Sequence, residues 1–294
     1  MPPSRRKKTH SKPITATAQR PISKKSQMTA TVIRTYHTLL KRHAQAEQEG
    51  DFTLAASLQQ EMDALGGLDA YQKSSLLGQD KGRGGDSSRV LCEWLQELGW
   101  GKGEGKRQGK VLEVGALSTK NQISKCGYLD VTRIDLQSQE EGILQQDFME
   151  RSAARTDEER FDILSLSLVL NFVPTPAGRG EMLHHIRNFL FPASHYTSSN
   201  KESQIEEGGL LFLVLPAPCV ENSRYLTEER LEDIMRSLGY VLVKQRTAKK
   251  VAYWLWRMVT EGKEWGRHGS KAVSWKKEEM RSGGSRNNFA VVLE

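Results

Sequence analysis

Cysteine is scarce. Cys92, Cys126 and Cys219 are the only three in 294 residues, too few and too scattered for a disulfide framework or a zinc site. Buried, unreactive thiols in a reducing compartment are therefore expected, since free cysteine behaves as a small apolar side chain. Long apolar runs are also missing: the longest, residues 210–215 and the serine-interrupted 161–170, are strand-sized, so no membrane span is expected. The opening residues have no apolar core of the kind a secretory leader carries. Acid is absent from residues 1–46, which hold eleven Lys or Arg; the whole chain is at +7, so the remainder is at −4. Affinity for a polyanion is expected to concentrate at this end.

The length exceeds that of an ordinary single core, so one principal domain with a smaller appendage and disordered ends is expected. Residues 1–26, with Arg5, Arg6, Lys7 and Lys8 among Ser, Thr and Pro, are too poor in apolar surface to offset the entropy of ordering. They suit a nuclear or nucleolar address, an RNA-binding arm or a solvated tail. Residues 27–84 form a helical region followed by a polar, glycine-rich loop. Val32, Ile33, Tyr36, Leu39 and Leu40, then Leu54, Ala55, Leu58, Met62 and Leu65, recur at helical spacing. Gly50 and Asp51 divide two helices, Asp51 capping the second and Gly66-Gly67 ending it. Arg34, Lys41 and Arg42 on the first helix suit either phosphate contact or a solvated face.

Residues 85–260 carry the main domain. The runs 110–114, 131–136, 161–170 and 210–215 read as strands buried on both faces, as in a parallel sheet, with helices at 89–98, 178–190 and 227–238. Thr227 is placed to cap the last of these. Residues 240–245 and 251–258, joined by a short polar turn, read as an antiparallel hairpin. Residues 193–208 are expected to form a surface insertion. Residues 261–294 form a polar tail whose apolar run, 289–293, either adds an edge strand or contributes nothing. The layout is a Rossmann-like α/β fold: a mostly parallel seven-stranded sheet ending in an antiparallel hairpin, with an N-terminal helical appendage.

The chemistry is concentrated at strand ends. In Lys110-Val-Leu-Glu-Val-Gly-Ala-Leu-Ser118 a buried strand runs into Gly115, where the missing side chain lets a ligand approach the backbone. Glu113 could order this loop or approach a ligand amine, or serve as a hydrogen-bonded strand-end carboxylate. Ala116, Leu117 and Ser118 replace the further glycines of a dinucleotide fingerprint, which argues against pyrophosphate and hence against a nicotinamide or flavin enzyme. The Gly101-Lys-Gly-Glu-Gly105 run precedes the strand and reads as a connector. Asp135 ends the next strand, where a carboxylate accepts both ribose hydroxyls. Asp147 and Phe148 follow at another strand end, the acid suited to an adenine amine and the ring to the base. Ser167 lies on the fourth strand. Asn171, Phe172 and Pro174 at its exit face the reacting end of such a ligand, or simply form a turn. Upstream, Arg83 could clamp a carboxylate bidentately, while Asp86 and its neighbouring serines contact ligand or cap the following helix. The set points to an adenosyl ligand without a metal.

These motifs resemble the fungal family of 25S ribosomal RNA adenine-N1 methyltransferases, which is related to the metazoan S-adenosylmethionine sensor that acts upstream of TORC1. The matching stretch, residues 71–257, includes Tyr71-Gln72, Gly78-Gln79, Arg83-Gly-Gly-Asp-Ser-Ser88, Glu113-Val-Gly115, Ile134-Asp135, Asp147-Phe148, residues 165–176, residues 216–219 and Asn222-Ser-Arg-Tyr225. The resemblance implies S-adenosyl-L-methionine bound through Gly115, Asp135, Asp147, Phe148 and Ser167, with Arg83 as a further contact. It also implies methylation of an adenine N1 in large-subunit rRNA or a pre-ribosomal particle, in the nucleus and nucleolus. Adenine N1 lies on the pairing edge, so the base must be unpaired, and Asn171, Phe172 and Tyr225 are the candidates to hold it. The competing expectation is a sensor that binds S-adenosylmethionine and acts through protein partners without methylating RNA.

Overall fold

A computed structural model describes residues 24–70, 73, 85–101, 108–138, 140–192, 207–259 and 274–294. Helices α1 (Lys24–Glu49) and α2 (Phe52–Ala64) form the expected hairpin. Gly50 turns the chain at φ +74°, a left-handed conformation that costs a residue without Cβ little. Asp51 then caps α2 by accepting the Leu54 amide at 2.9 Å. Leu39, Ala46, Ala55, Leu58 and Met62 give the hairpin a small core of its own. Helix α1 starts at Lys24, inside the stretch expected to be disordered.

Helix α3 (Ser88–Glu97) leads into the main domain. Its strands are β1 (Gly109–Val114), β2 (Leu129–Asp135), β3 (Leu144–Gln145), β4 (Ile163–Ser167), β5 (Glu207–Pro216), β6 (Tyr240–Thr247) and β7 (Val251–Val259). Helices α4 (Pro176–Ile186), α5 (Pro218–Glu221) and α6 (Glu228–Ser237) complete it. The sheet order is β3-β2-β1-β4-β5-β7-β6. Strands β1 to β5 pair in parallel, while β7 runs antiparallel to both β5 and β6.

Apolar residues on both faces of the central strands dictate this layering. Val111, Ile163, Leu210 and Phe212 pack on one face with Leu91, Trp94 and Leu95 of α3. Leu112, Leu164, Leu211 and Leu213 pack on the other with Met182, Leu183 and Ile186 of α4 and Leu231, Ile234 and Met235 of α6. Thr175 and Thr227 cap α4 and α6, each accepting an amide at 3.0 Å, from Gly178 and Arg230. All three cysteines are buried, and burial pushes the Cys219 thiol up to about 12.

Several boundaries differ from expectation. Strand β4 stops at Ser167, because Leu168 turns to φ +57°, and β2 stops at Asp135, leaving Leu136 exposed. The β1–β2 crossover holds only a four-residue 3-10 turn, Gln122–Lys125. The expected insertion lies outside the described residues except for residues 207 and 208, which open β5.

The terminal apolar run joins the core rather than the sheet edge. Phe289, Ala290 and Val291 are buried in the layer that α4 and α6 share. Arg179 donates to the Ala290 carbonyl at 2.6 Å and the Val292 amide to Pro176 at 3.0 Å. Gly180 of α4 is bare for the same reason: a Cβ there would lie 1.8 Å from the Val292 carbonyl oxygen.

Candidate active site

Parallel pairing brings the carboxyl ends of β1 to β5 to one edge of the sheet. The β1–β2 register pairs Val114 with Ile134, so Gly115 and Asp135 emerge side by side. The Gly115 and Ala116 amides both donate to the Ile134 carbonyl, at 2.9 and 3.1 Å. Gly115 has φ +73°, and a Cβ on it would lie 2.4 Å from Cγ2 of Val169. The nearest neighbour of this bare backbone is thus a side chain from the β4 exit.

Asp135 is half-buried, and loss of solvent raises its carboxyl pKa, an effect the Gln137 amide, donating at 2.9 Å, partly offsets. The Gln146 amide donates to the Asp135 carbonyl at 2.8 Å, tying the β3 exit to the β2 tip. Asp147, just beyond, accepts the Met149 amide at 2.7 Å. Phe148 departs from the expected role for its ring. It is 3% exposed and packs between His185 and Phe189, with centroids 5.1 and 5.3 Å away. An aromatic beside an acid gives the same sequence signal whether its ring meets a ligand or the core.

Ser167 ends β4 and shares a 2.7 Å hydrogen bond with the Ser87 hydroxyl, fastening the loop before α3 to the sheet. Asp86 secures the same loop: one carboxylate oxygen accepts from the Ser88 amide at 2.9 Å and from its hydroxyl at 2.6 Å, and the other accepts the Gln122 amide. These bonds tie the start of α3 to the β1–β2 crossover. Arg83 lies outside the described residues.

Beyond Ser167 the backbone is strained. A leucine at positive φ costs about 1–2 kcal/mol, and such conformations collect at functional sites. The Phe172 amide donates to the Val169 carbonyl at 2.8 Å, closing a turn that presents Asn171. Asn171 is 7% exposed, and its Oδ1 has no donor among the described residues. The Phe172 ring meets the His37 ring of α1 edge-on, with centroids 4.0 Å apart. Tyr225 sits on another loop, after α5, with Lys277 Nζ 4.5 Å and Arg224 Cζ 5.9 Å from its ring centroid.

Glu113 faces inward. Burial raises its carboxyl pKa to about 7, against the opposing pull of Arg133 at 3.5 Å and a 3.1 Å bond from Asn121 Nδ2. It pairs with side chains of β2 and the β1–β2 crossover. Sequence reasoning missed Val169, Leu168, His37 and Arg179. The mid-helix glycine Gly180 was the available signal for a segment crossing α4, since glycine there otherwise weakens a helix. Among the described residues no cluster of three or more His, Cys, Asp or Glu could hold a metal ion, and no helix is long and apolar enough to cross a membrane.

A parallel sheet with β7 reversed between β5 and β6, and a glycine turn beside an acid-tipped β2, define a Rossmann-like methyltransferase fold. Residues 56–291 match the family described as Bmt2, 25S rRNA (adenine(2142)-N(1))-methyltransferase, and the chain belongs to that family. It is 37% identical over 263 residues to the 25S rRNA adenine-N(1) methyltransferase of Schizosaccharomyces pombe, covering 88% of this chain and 89% of that one. Identity to the 25S rRNA (adenine(2142)-N(1))-methyltransferase of Saccharomyces cerevisiae is 33% over 262 residues, covering 87% of this chain and 70% of that one. Among solved structures, the N-methyltransferase NodS of Bradyrhizobium japonicum WM9 aligns with a TM-score of 0.36 and 15% identity, over 58% of this chain and 86% of that one. So slight a likeness adds nothing to the strand order.

Proposed function

We propose that this chain transfers the methyl group of S-adenosyl-L-methionine to N1 of an adenine in large-subunit (25S) rRNA. The observation that carries the reading is the β1–β2 register, which sets the Gly115 turn beside the Asp135 carboxylate in a chain of this family. The residues at this edge fit an adenosyl group. Asp135 would accept the ribose hydroxyls and Asp147 the adenine amine. Phe148, whose ring is committed to the core, would contribute its backbone amide, which has no acceptor among the described residues. Ser167, bonded to Ser87, and Arg83 would bound the methionyl end.

When bound, the sulfonium supplies an activated methyl group and leaves as a neutral thioether. Neutral adenine already has a lone pair on N1, so the protein's task is alignment rather than proton removal. As the N1–carbon bond forms, positive charge spreads onto the adenine and its exocyclic amine. The Asn171 Oδ1, buried and without a donor among the described residues, would accept a hydrogen bond from that amine, more strongly as charge develops. Phe172 would support the unpaired base, and Tyr225 would contact it from the β5 side.

The acid-free basic N-terminus supports an RNA partner, and with it a pre-ribosomal particle as substrate and a nuclear, nucleolar address. Primer extension across large-subunit rRNA tests the activity, because N1 methylation blocks the pairing edge and stops the polymerase. Cells lacking the protein should lose one strong stop, and wild-type protein but not Asp135→Ala should restore it. Unchanged stops would overturn the reading; cofactor binding without transfer would make the chain a sensor.

A further inference from the structure

Helix α1 reaches the carboxyl edge of the sheet with one face. His37 rests on Phe172, and Lys41 follows four residues later, one turn along that face. Lys41 is half-buried, and among the described residues it donates no hydrogen bond and pairs with no carboxylate. Its electrostatic neighbours are Arg179 and Cys219. Arg179 is 2% exposed; among the described residues its hydrogen bonds go to backbone carbonyls, those of Val173 at 2.9 Å, Pro174 at 3.0 Å and Ala290 at 2.6 Å, and its Cζ lies 4.4 Å from the Phe289 ring centroid. The Cys219 thiol, pushed up by burial, is neutral at physiological pH.

Two cations therefore share a partly desolvated place, and among the described residues no carboxylate balances them. Desolvation and Arg179 both lower the Lys41 pKa, which is the cost of leaving the group without an anion. The place belongs to the exits of β4 and β5: Arg179 bonds the Val173 and Pro174 carbonyls after β4, Cys219 follows β5, and His37, one turn before Lys41, rests on Phe172. Asp135 and Asp147 lie across β1, at the β2 and β3 tips. A base seated on Asn171 and Phe172 would bring its own flanking phosphates to this surface, whereas the adenosyl group would lie on the other side.

We propose that Lys41, backed by Arg179, forms an anion subsite for a phosphodiester of the RNA strand next to the target adenine, with α1 as its outer wall. The inference rests on the rRNA reading and deepens it by assigning the N-terminal hairpin a part in substrate binding.

The test measures binding of a single-stranded 25S rRNA transcript containing the target adenine at several salt concentrations, by fluorescence anisotropy. Wild type, Lys41→Gln and Lys41→Arg are compared as full chains, with S-adenosylmethionine calorimetry and thermal melting in parallel. Lys41→Gln should bind more weakly and lose about 0.7 from the slope of log affinity against log salt, the single-strand value for one phosphate contact. Lys41→Arg should restore both, with cofactor affinity and melting unchanged throughout. An unchanged slope in Lys41→Gln overturns the subsite. So does lost cofactor affinity with an unchanged slope, which would assign the cations to the cofactor's carboxylate. A wild-type protein that binds cofactor but neither binds nor methylates the transcript refutes the rRNA reading itself, a result separate from any effect of Lys41.

Discussion

Gly115→Ala probes how the cofactor edge is built. At φ +73° an alanine carries about 1–2 kcal/mol of left-handed strain. Its Cβ would also lie 2.4 Å from Val169 Cγ2, whereas two carbons attract only near roughly 3.5–4.0 Å. The β4 exit must therefore move by more than about 1 Å, an overpacking that costs about 1–3 kcal/mol. The total is about 2–5 kcal/mol, and at roughly 2–4 °C per kcal/mol the melting temperature should fall by about 4–20 °C. Val169→Ala removes the clashing methyl, so the double variant should regain the overpacking share and keep the strain. A double-mutant cycle on melting should give a coupling of about 1–3 kcal/mol. S-adenosylmethionine affinity, measured by calorimetry on the same four proteins, should be lost in Gly115→Ala and partly regained in the double variant. A double variant no better than Gly115→Ala in either measurement would show that Val169 does not cover the glycine. Wild-type melting and affinity in Gly115→Ala would remove the turn from the site altogether.

Asp135→Ala should remove the proposed acceptor of both ribose hydroxyls, at about 1.5–3 kcal/mol for each charge-assisted bond, so cofactor affinity should fall roughly a hundredfold to ten-thousandfold with melting nearly unchanged; unchanged calorimetry would count against the ribose assignment. Asn171→Ala should slow methyl transfer about ten- to a hundredfold at saturating cofactor without weakening cofactor binding, and a variant with full activity would dismiss Asn171 as a turn residue. Glu113 titrates at about 7 when folded because it is buried, and in the ordinary carboxylate range when unfolded. Between those values the native state holds the extra proton, so the Glu113 contribution to stability falls as pH rises toward about 7 and is level above it, by roughly 3 kcal/mol in all. His37, whose pKa burial lowers to about 4, contributes the opposite slope to wild type and variant alike. Denaturant titrations should therefore show Glu113→Gln gaining stability relative to wild type as pH rises across that range; a difference independent of pH would mean the carboxyl is not desolvated.

The parts legible in the sequence are those whose geometry is local. Strands β1, β4 and β5 are buried on both faces, so they stand out as unbroken apolar runs, and the register of parallel strands then carries Gly115 to Asp135. Strand β3 was barely visible because it is two residues long with Leu144 exposed, leaving no pattern to detect. The caps Asp51 and Thr227 were legible because the side chain and the amide it accepts are three residues apart. The Phe148 ring was misplaced because its burial depends on His185 and Phe189, about forty residues away in α4 and just beyond it. The run 289–293 was visible as apolar, but its docking depends on Arg179 and Gly180, and nothing local announces that distance.

This contrast separates the two halves of the site physically. The proposed cofactor half stands on strand tips, where backbone register fixes positions and few alternatives exist. The acceptor half is held from outside the alternating strand–helix units: α1 presses His37 onto Phe172, and the C-terminal segment reaches the same turn through Arg179, which bonds Val173, Pro174 and Ala290 together. A buried guanidinium held by carbonyl dipoles and by the Phe289 ring, 4.4 Å from its Cζ, keeps its orientation only while these segments stay in place. Changes at either chain end should therefore alter which RNA is accepted while leaving cofactor binding intact, whereas changes at the tips of β1 and β2 should weaken cofactor binding, and methyl transfer with it, while leaving RNA binding in place.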